Sequence, residues 1–386
     1  MRRPLAPWLV LIAALGLPPC FSSQSWLLAY LAQTATMIVF ALSYNLLLGE
    51  TGLLSFGHAA YAGLGAFAAA HVFNRSGMPL PLLPLLPLVG GGAGALAGVL
   101  FGFISTRRAG TAYAMITLGI GELVAASAWL VPGWFGGEGG MPIDRASGAP
   151  FFAWTFGPAR EAYGLIAAWC VLACVTMFAF SRTPMARLAN AVRDNPVRAA
   201  AIGVDPRRVR FTMSVVSAFF AGVAGVLGLI NVELVSAEGV GLARSGSVLI
   251  ATVIGGTSAF FGPVAGAALL TFFSVAVASV SSAWLMYLGL FFVWIVVVAP
   301  DGLAGLIGKR RAPRVMLFAS LAALAWMLAI VIASELAYAM QFDNSGDGLA
   351  HLAGFALDGR TWLPWSMALA CAAVAALLTR VARTTR

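Results

Sequence analysis

The sequence predicts an all-α polytopic membrane protein with about ten to twelve transmembrane or re-entrant helices, and three observations predict it. Hydrophobic residues are 61% of the 386 and charged residues 10%, against roughly 25% charged in a soluble domain. Apolar stretches of about 15 to 25 residues recur from end to end, each able to cross or nearly cross a hydrocarbon core about 30 Å thick. They leave no room for a large soluble domain, and lysine and arginine gather between them.

The spans fall at residues 5–21, 26–48, 53–73, 80–104, 111–131, 161–181 and 211–232, then an interrupted pair at 247–257 and 263–281, then 284–299, 315–333 and 362–379. The first lies in MRRPLAPWLVLIAALGLPPCFSS, which has the basic, apolar and small-residue order of a signal peptide. Pro18 and Pro19 make a poor processing site and another span follows at once, so this segment is expected to stay as the first helix. With the N-terminus in the cytoplasm, eighteen of the 23 Lys and Arg lie inside, and Arg75, Arg145, Arg160, Arg244 and Arg360 lie outside. That bias sets the orientation, with both termini cytoplasmic. The net charge of +9 then belongs to cytoplasmic loops and calls for no nucleic acid. Cys20, Cys170, Cys174 and Cys371 lack metal-ligand spacing and are too few for a disulfide framework. They are read as packing residues, and no metal site is expected.

Two loops carry further information. Residues 132–160, rich in Gly, Pro and aromatics, face outward as a lid, a docking surface or a plain connector. Residues 182–210, RTPMARLANAVRDNPVRAAAIGVDPRRVR, face the cytoplasm. Here Asn195 suits an N-cap and Pro196 the first helical position. Val197, Arg198, Ala199, Ala200, Ala201 and Ile202 continue the helix, Gly203 suits a left-handed stop, and Pro206 forbids resumption. A helix of about two turns is not stable in isolation, so it needs a surface to lie on. The alternative is a basic loop held at an anionic leaflet.

Three stretches resemble a known family: YNLLLGETGLLSFGHAAYAGLGAFAAA at 44–70, AVRDNPVRAAAIGVDPRRVRFTMSVVSAFFAGVAGVLGL at 191–229, and VIGGTSAFFGPVAGAALL with APDGLAGLI at 253–270 and 299–307. In that order they are similar to the LivM-type membrane permease subunits of bacterial ABC importers for branched-chain amino acids. The resemblance implies an ABC importer permease fold in the bacterial plasma (inner) membrane. It implies four kinds of partner: two cytoplasmic ATPase subunits, a second related permease subunit, an external solute-binding protein, and the small solute itself. Asn195 to Gly203 would then be the ATPase-coupling segment. Residues 1–308 would form the permease domain, with 182–210 as its coupling loop, and 309–386 a two-helix membrane extension. Asp301 stands where the family commonly has arginine.

No G-x-x-x-x-G-K-[ST] pattern occurs and the only lysine is Lys309, so the chain is expected to bind no cofactor itself. ATP and Mg belong to the partner ATPases. The expected solute is a branched-chain amino acid or a similar small amphipathic molecule. Urea, short amides or carboxylates are the alternative within the same type of permease, and an ion-gradient-driven carrier is the alternative outside it.

The candidate pathway lies at two interrupted segments, GETGLLSFG and GGTSAFFGP. Glycine interruptions in corresponding halves point to a solute site in carriers, because unwound backbone is tolerated only beside a cavity or protein. Ser55, Gly255, Gly256 and Ser258 belong to these breaks. Projected on a helix, residues 56–71 put Phe56, Leu64, Phe67 and His71 on one side and mostly Gly and Ala, with His58, on the other. The small side is expected to pack closely or border the pathway. His58, Glu122 and Asn45 are the intramembrane polar candidates: His58 as a gate or as a hydrogen-bonded structural residue, Glu122 as a helix-pairing group or in a water-filled cavity. No Ser-His-acid or H-E-x-x-H pattern joins His58, His71 and His351, so enzymatic chemistry is not expected.

Overall fold

The computed structural model describes the chain apart from residues 1–4, 22–23, 77–79, 148–154, 280, 282, 300, 309–312, 343–348, 353–354, 359–360 and 385–386. The basic patch at 309–312 and the acids Asp343 and Asp347 thus lie outside the described residues. Among the described residues, six helices are long and apolar enough to cross a membrane and five shorter apolar helices accompany them. The chain divides into two compact units, residues 1–271 and 272–386.

The first unit contains α1 (Leu5–Gly16), α2 (Ser25–Thr51), α3 (His58–Ser76), α4 (Leu86–Ser105), α5 (Thr111–Leu130), α6 (Ala159–Ser181), α7 (Pro184–Asp194), α8 (Pro196–Ala201), α9 (Pro206–Val232), α10 (Leu242–Gly255) and α11 (Gly262–Thr271). Helix α2 is buried all round over most of residues 34–47, as an apolar helix without a polar stripe must be. Helix α9 lies against α2, α3 and α4. Glycines permit this: a Cβ on Gly98 would lie 2.7 Å from the Ala218 methyl, and one on Gly94 would meet Gly222 Cα at 3.0 Å. Helices α10 and α11 have 14 and 10 residues, about 21 and 15 Å at 1.5 Å per residue. Helix α10 is too short to span a core of about 30 Å, whereas α11 runs on as one apolar helical stretch to Val277. They reverse at Gly256, whose φ is +95°, and pack on each other and on α2. This is the interrupted pair that the glycines predict at 247–257 and 263–281.

On the face away from the arginine-rich segment 182–210, Met141–Pro142 pairs antiparallel with Leu234–Val235. The segment after α5 folds back on α3, where Phe135 meets Phe67 edge-on at 5.0 Å and the Trp134 carbonyl lies 2.7 Å from His71 Nε2. The bulky side of α3 is therefore covered by part of the 132–160 segment.

The second unit holds a π-helical turn (Phe272–Val277), α12 (Trp284–Val298), α13 (Gly302–Gly308), α14 (Pro313–Phe342), a hairpin pairing Leu349–Leu352 with Phe355–Asp358, and α15 (Trp362–Thr384). Helices α14 and α15 pack through Ile332, Leu336 and Ala368. The sequence reading ends the span near residue 333 and assigns Glu335 to an outward loop. Instead α14 runs on to Phe342, because the Glu335 carboxylate accepts hydrogen bonds from the Ser281 and Tyr287 hydroxyls and needs no water.

Candidate translocation and coupling site

Helix α2 ends at Gly52, left-handed at φ +68°, whose N–H meets the Leu47 and Leu48 carbonyls. Residues 52–57 then run back beside α2 rather than continuing outward. The Tyr44 hydroxyl donates to the Ser55 carbonyl at 3.0 Å, and the Phe56 N–H donates to Thr117 Oγ1 at 3.2 Å. Helix α3 thus begins at the level of Ser43, eight residues short of Thr51 and about 12 Å from that end of α2.

His58, the first residue of α3, is 0% exposed. Its Nε2 lies 3.0 Å from Ser43 Oγ, and Ser43 Oγ lies 2.7 Å from the Phe40 carbonyl. Serine has one proton, and the carbonyl takes it, so Nε2 carries the imidazole proton and donates to Ser43. Nδ1 is left without a hydrogen-bond partner. Phe40 stacks on the ring at 5.4 Å, while Tyr44 and Tyr61 meet it edge-on at 5.1 and 5.8 Å. Close by, the hydroxyls of Ser55, Tyr113 and Ser214 are buried without hydrogen bonds.

Helix α10 starts beside α3. Ser245 Oγ accepts the Ala59 N–H at 3.0 Å, which satisfies one of the free donors that open any helix. Gly63 makes room for Val240, where any Cβ would collide. The sequence reading leaves Arg244 in an external loop, but its guanidinium lies 5.7 Å from the Phe40 ring centre. Phe40 is eleven residues from Thr51, about 17 Å along α2, so Arg244 sits well inside the bundle rather than in a loop at its end.

Of the candidates from sequence, Ser55 and His58 meet in this cluster. Asn45 is buried on α2 against Gly49, its Oδ1 unpartnered. Gly255 and Gly256 are buried at the α10–α11 reversal, whereas Ser258 is exposed there. Glu122 is exposed as well, although neighbouring Gly121 would bring a Cβ within 2.9 Å of Gly57 Cα. Sequence reasoning missed Tyr44, Tyr61, Tyr113 and Arg244. Tyrosine inside an apolar span is the available signal, since its hydroxyl needs a partner when buried.

The arginine-rich segment forms α7 and α8. Ala186, Ala189 and Val192 bury one side of α7. The Asn195 side chain accepts the Arg198 N–H at 2.9 Å, the N-cap expected from sequence. Gly203 follows at φ +89°, and Asp205 caps α9 through the Arg207 N–H at 2.9 Å. Ala199 is buried, yet Val197 is 77% and Ile202 74% exposed. Two contacts fasten α7 to the end of α2: Asn190 Nδ2 donates to Glu50 Oε2 at 2.6 Å, and the Arg193 guanidinium donates to the Gly49 carbonyl.

Helices that begin inside a small-residue bundle, joined to a capped surface helix with a bare apolar tip, are the parts a membrane permease subunit needs. A model of the family described as "Branched-chain amino acid transport system / permease component" matches residues 26–300, and the chain belongs to that family. It is 28% identical over 291 residues to the Escherichia coli (strain K12) protein named high-affinity branched-chain amino acid transport system permease protein LivM, covering 70% of this chain and 68% of that one. The protein of the same name from Salmonella typhimurium is 28% identical over 292 residues, with the same coverage. No solved structure matches the chain.

Proposed function

We propose that this permease subunit imports a branched-chain amino acid or a close analogue across a bacterial inner membrane, with both termini in the cytoplasm and energy from partner ATPases. The observation that carries the reading is α8: a capped helix whose apolar Val197 and Ile202 are exposed while Ala199 holds it to the body. Leaving those side chains bare costs about 1.5 to 3 kcal/mol each relative to burial, and a groove on an ATPase subunit would cover them. Residues Asn195 to Gly203 are the coupling segment in this reading. Ser55 and His58, with Asn45, Gly255 and Gly256, line or support the path. Glu122 and Ser258, exposed on this subunit, face the second permease or the path between the two. An external solute-binding protein delivers the solute, residues 1–308 form the working permease, and 309–386 an added hairpin of α14 and α15. ATP and Mg stay on the ATPases.

The contacts from Asn190 to Glu50 and from Arg193 to Gly49 support a route by which movement of α8 reaches the 52–57 break through α7. The test is co-purification with ATPase subunits from the same cells, comparing wild type with Ala200→Asp. Ala200 is exposed, so the variant is expected to insert normally and to lose stimulation of ATP hydrolysis. Normal stimulation would refute the docking role, and absence of any ATPase partner would refute the importer reading.

A further inference from the structure

We infer that Arg244 binds the carboxylate of the transported solute. The inference rests on the importer reading above and adds the residue that recognises the solute's charge. Arg244 lies in the first turn of α10, well inside the bundle, with its guanidinium 5.7 Å from the Phe40 ring. No carboxylate pairs with it among the described residues. An ionised group at such depth is costly and is retained where it meets a counter-charge or a path. The Phe40 face gives a cation partial compensation, and a phenyl ring is not a counter-ion.

Its surroundings add further donors. Helix α10 has no side-chain N-cap and no acid in its first turn, so its opening N–H groups and partial positive charge reinforce the arginine. A cation in the first turn is otherwise the unfavourable placement. Phe40 also stacks on His58, whose Nδ1 is buried without a partner. That lone pair is an acceptor suited to an ammonium N–H, so an acid-accepting guanidinium and a bare acceptor stand on the same aromatic side chain. A guanidinium holds a carboxylate through two parallel hydrogen bonds, which selects amino acids and small carboxylates over urea or neutral amides.

The experiment uses the permease co-expressed with its partner subunits in proteoliposomes, with radiolabelled L-leucine as the probe. Assembly is read by co-purification in every sample. Arg244→Gln is expected to lower ATP-driven leucine uptake about tenfold or more, the factor of one charge-assisted hydrogen bond, with Arg244→Lys in between. In detergent, leucine is expected to raise the unfolding temperature of the wild-type complex and leucinamide is not. Arg244→Gln loses that distinction. Uptake by Arg244→Gln within twofold of wild type overturns the inference, as does equal stabilisation by leucine and leucinamide. If the wild-type complex takes up urea or acetamide and not leucine, the carboxylate assignment and the amino-acid solute both fail, while the ATPase-driven importer stands. If no ATPase co-purifies, both fail. Should Arg244→Gln not assemble, Arg244→Lys decides, since it keeps the charge and gives up the two-pronged geometry: wild-type uptake overturns the inference, and reduced uptake at normal assembly supports it.

Discussion

Gly65 and Gly222 cross so closely that a Cβ on Gly65 would stand 2.7 Å from Gly222 Cα and 2.8 Å from the Gly90 carbonyl oxygen. Both atoms belong to backbone, so nothing flexible can yield, and α3, α4 and α9 would have to separate. Gly65→Ala is therefore expected to destabilise the bundle by about 1 to 3 kcal/mol, the usual cost of overpacking. Gly92, on α4, meets nothing within 4 Å. Gly92→Ala should be neutral or stabilising by about 0.4 to 1 kcal/mol. Thermal unfolding of the two variants in one detergent separates the cases, and equal losses would show that close approach is not what Gly65 provides.

The Ser43–His58 bond gives a second prediction. His58→Gln keeps a donor for Ser43 Oγ, whereas His58→Leu does not. Ser43 retains its bond to the Phe40 carbonyl in either case, so no buried proton is orphaned. His58→Leu should cost about 1 kcal/mol more than the hydrophobic exchange alone, the net worth of one hydrogen bond. His58→Ala, which empties a space walled by Phe40, Tyr44 and Tyr61, should cost about 2 to 4 kcal/mol by analogy with other large-to-small changes. A Leu variant less stable than the Ala variant would contradict this ranking.

How much of this was legible in the sequence depends on whether the deciding contact is local. The cap at Asn195 and the stop at Gly203 use neighbours within eight positions, and the capped helix forms as predicted with its end one residue earlier, at Ala201. The break at 52–57 was legible as small and polar. Its depth was not, because it is set by Tyr44 reaching Ser55 and by Ser245 reaching Ala59, 186 residues away. Arg244 reads as loop for the same reason. The chain between Val235 and Leu242 dips into the bundle where Val240 fills the space left by Gly63, a long-range packing event with no local signal. Glu335 reads as solvated loop until Ser281 and Tyr287 supply its donors. The family was legible because its motifs are contiguous runs.

The Asn190–Glu50 bond of 2.6 Å predicts a charge-swap rescue. Asn190→Asp faces two carboxylates across that distance and should detach α7 from the end of α2. If α7 carries movement of α8 inward, solute moved per ATP hydrolysed falls about tenfold, within the usual range of coupling between sites. Adding Glu50→Lys restores opposite charges and should recover most of the ratio. The quantity to follow is uptake divided by ATP hydrolysis. A double variant no better than Asn190→Asp alone would show that the contact itself does not matter.

Arg145 fastens the far-face loop to the end of α9. Its Nη1 donates to the Ile230 carbonyl at 2.6 Å and to the Asn231 carbonyl at 3.4 Å, Nη2 donates to the Gly157 carbonyl at 3.3 Å, and Nε lies 3.2 Å from Glu233 Oε1. A cation on the last carbonyls of a helix is favoured both as a hydrogen-bond donor and by the helix dipole. Arg145→Ala leaves those carbonyls without their donor; Glu233 is 37% exposed and can turn to water, so the loss is that of hydrogen bonds to a charged group, about 1.5 to 3 kcal/mol. Because the loss is confined to residues held by Arg145, it should appear as faster amide exchange in residues 141–147 and 230–235, while α2 and α3 keep their protection. Arg145→Lys should recover little, since a single ammonium cannot span three carbonyls and a carboxylate. Unchanged exchange at Met141, Ile143 and Val235 in Arg145→Ala would mean that the short strand pairing holds the loop by itself.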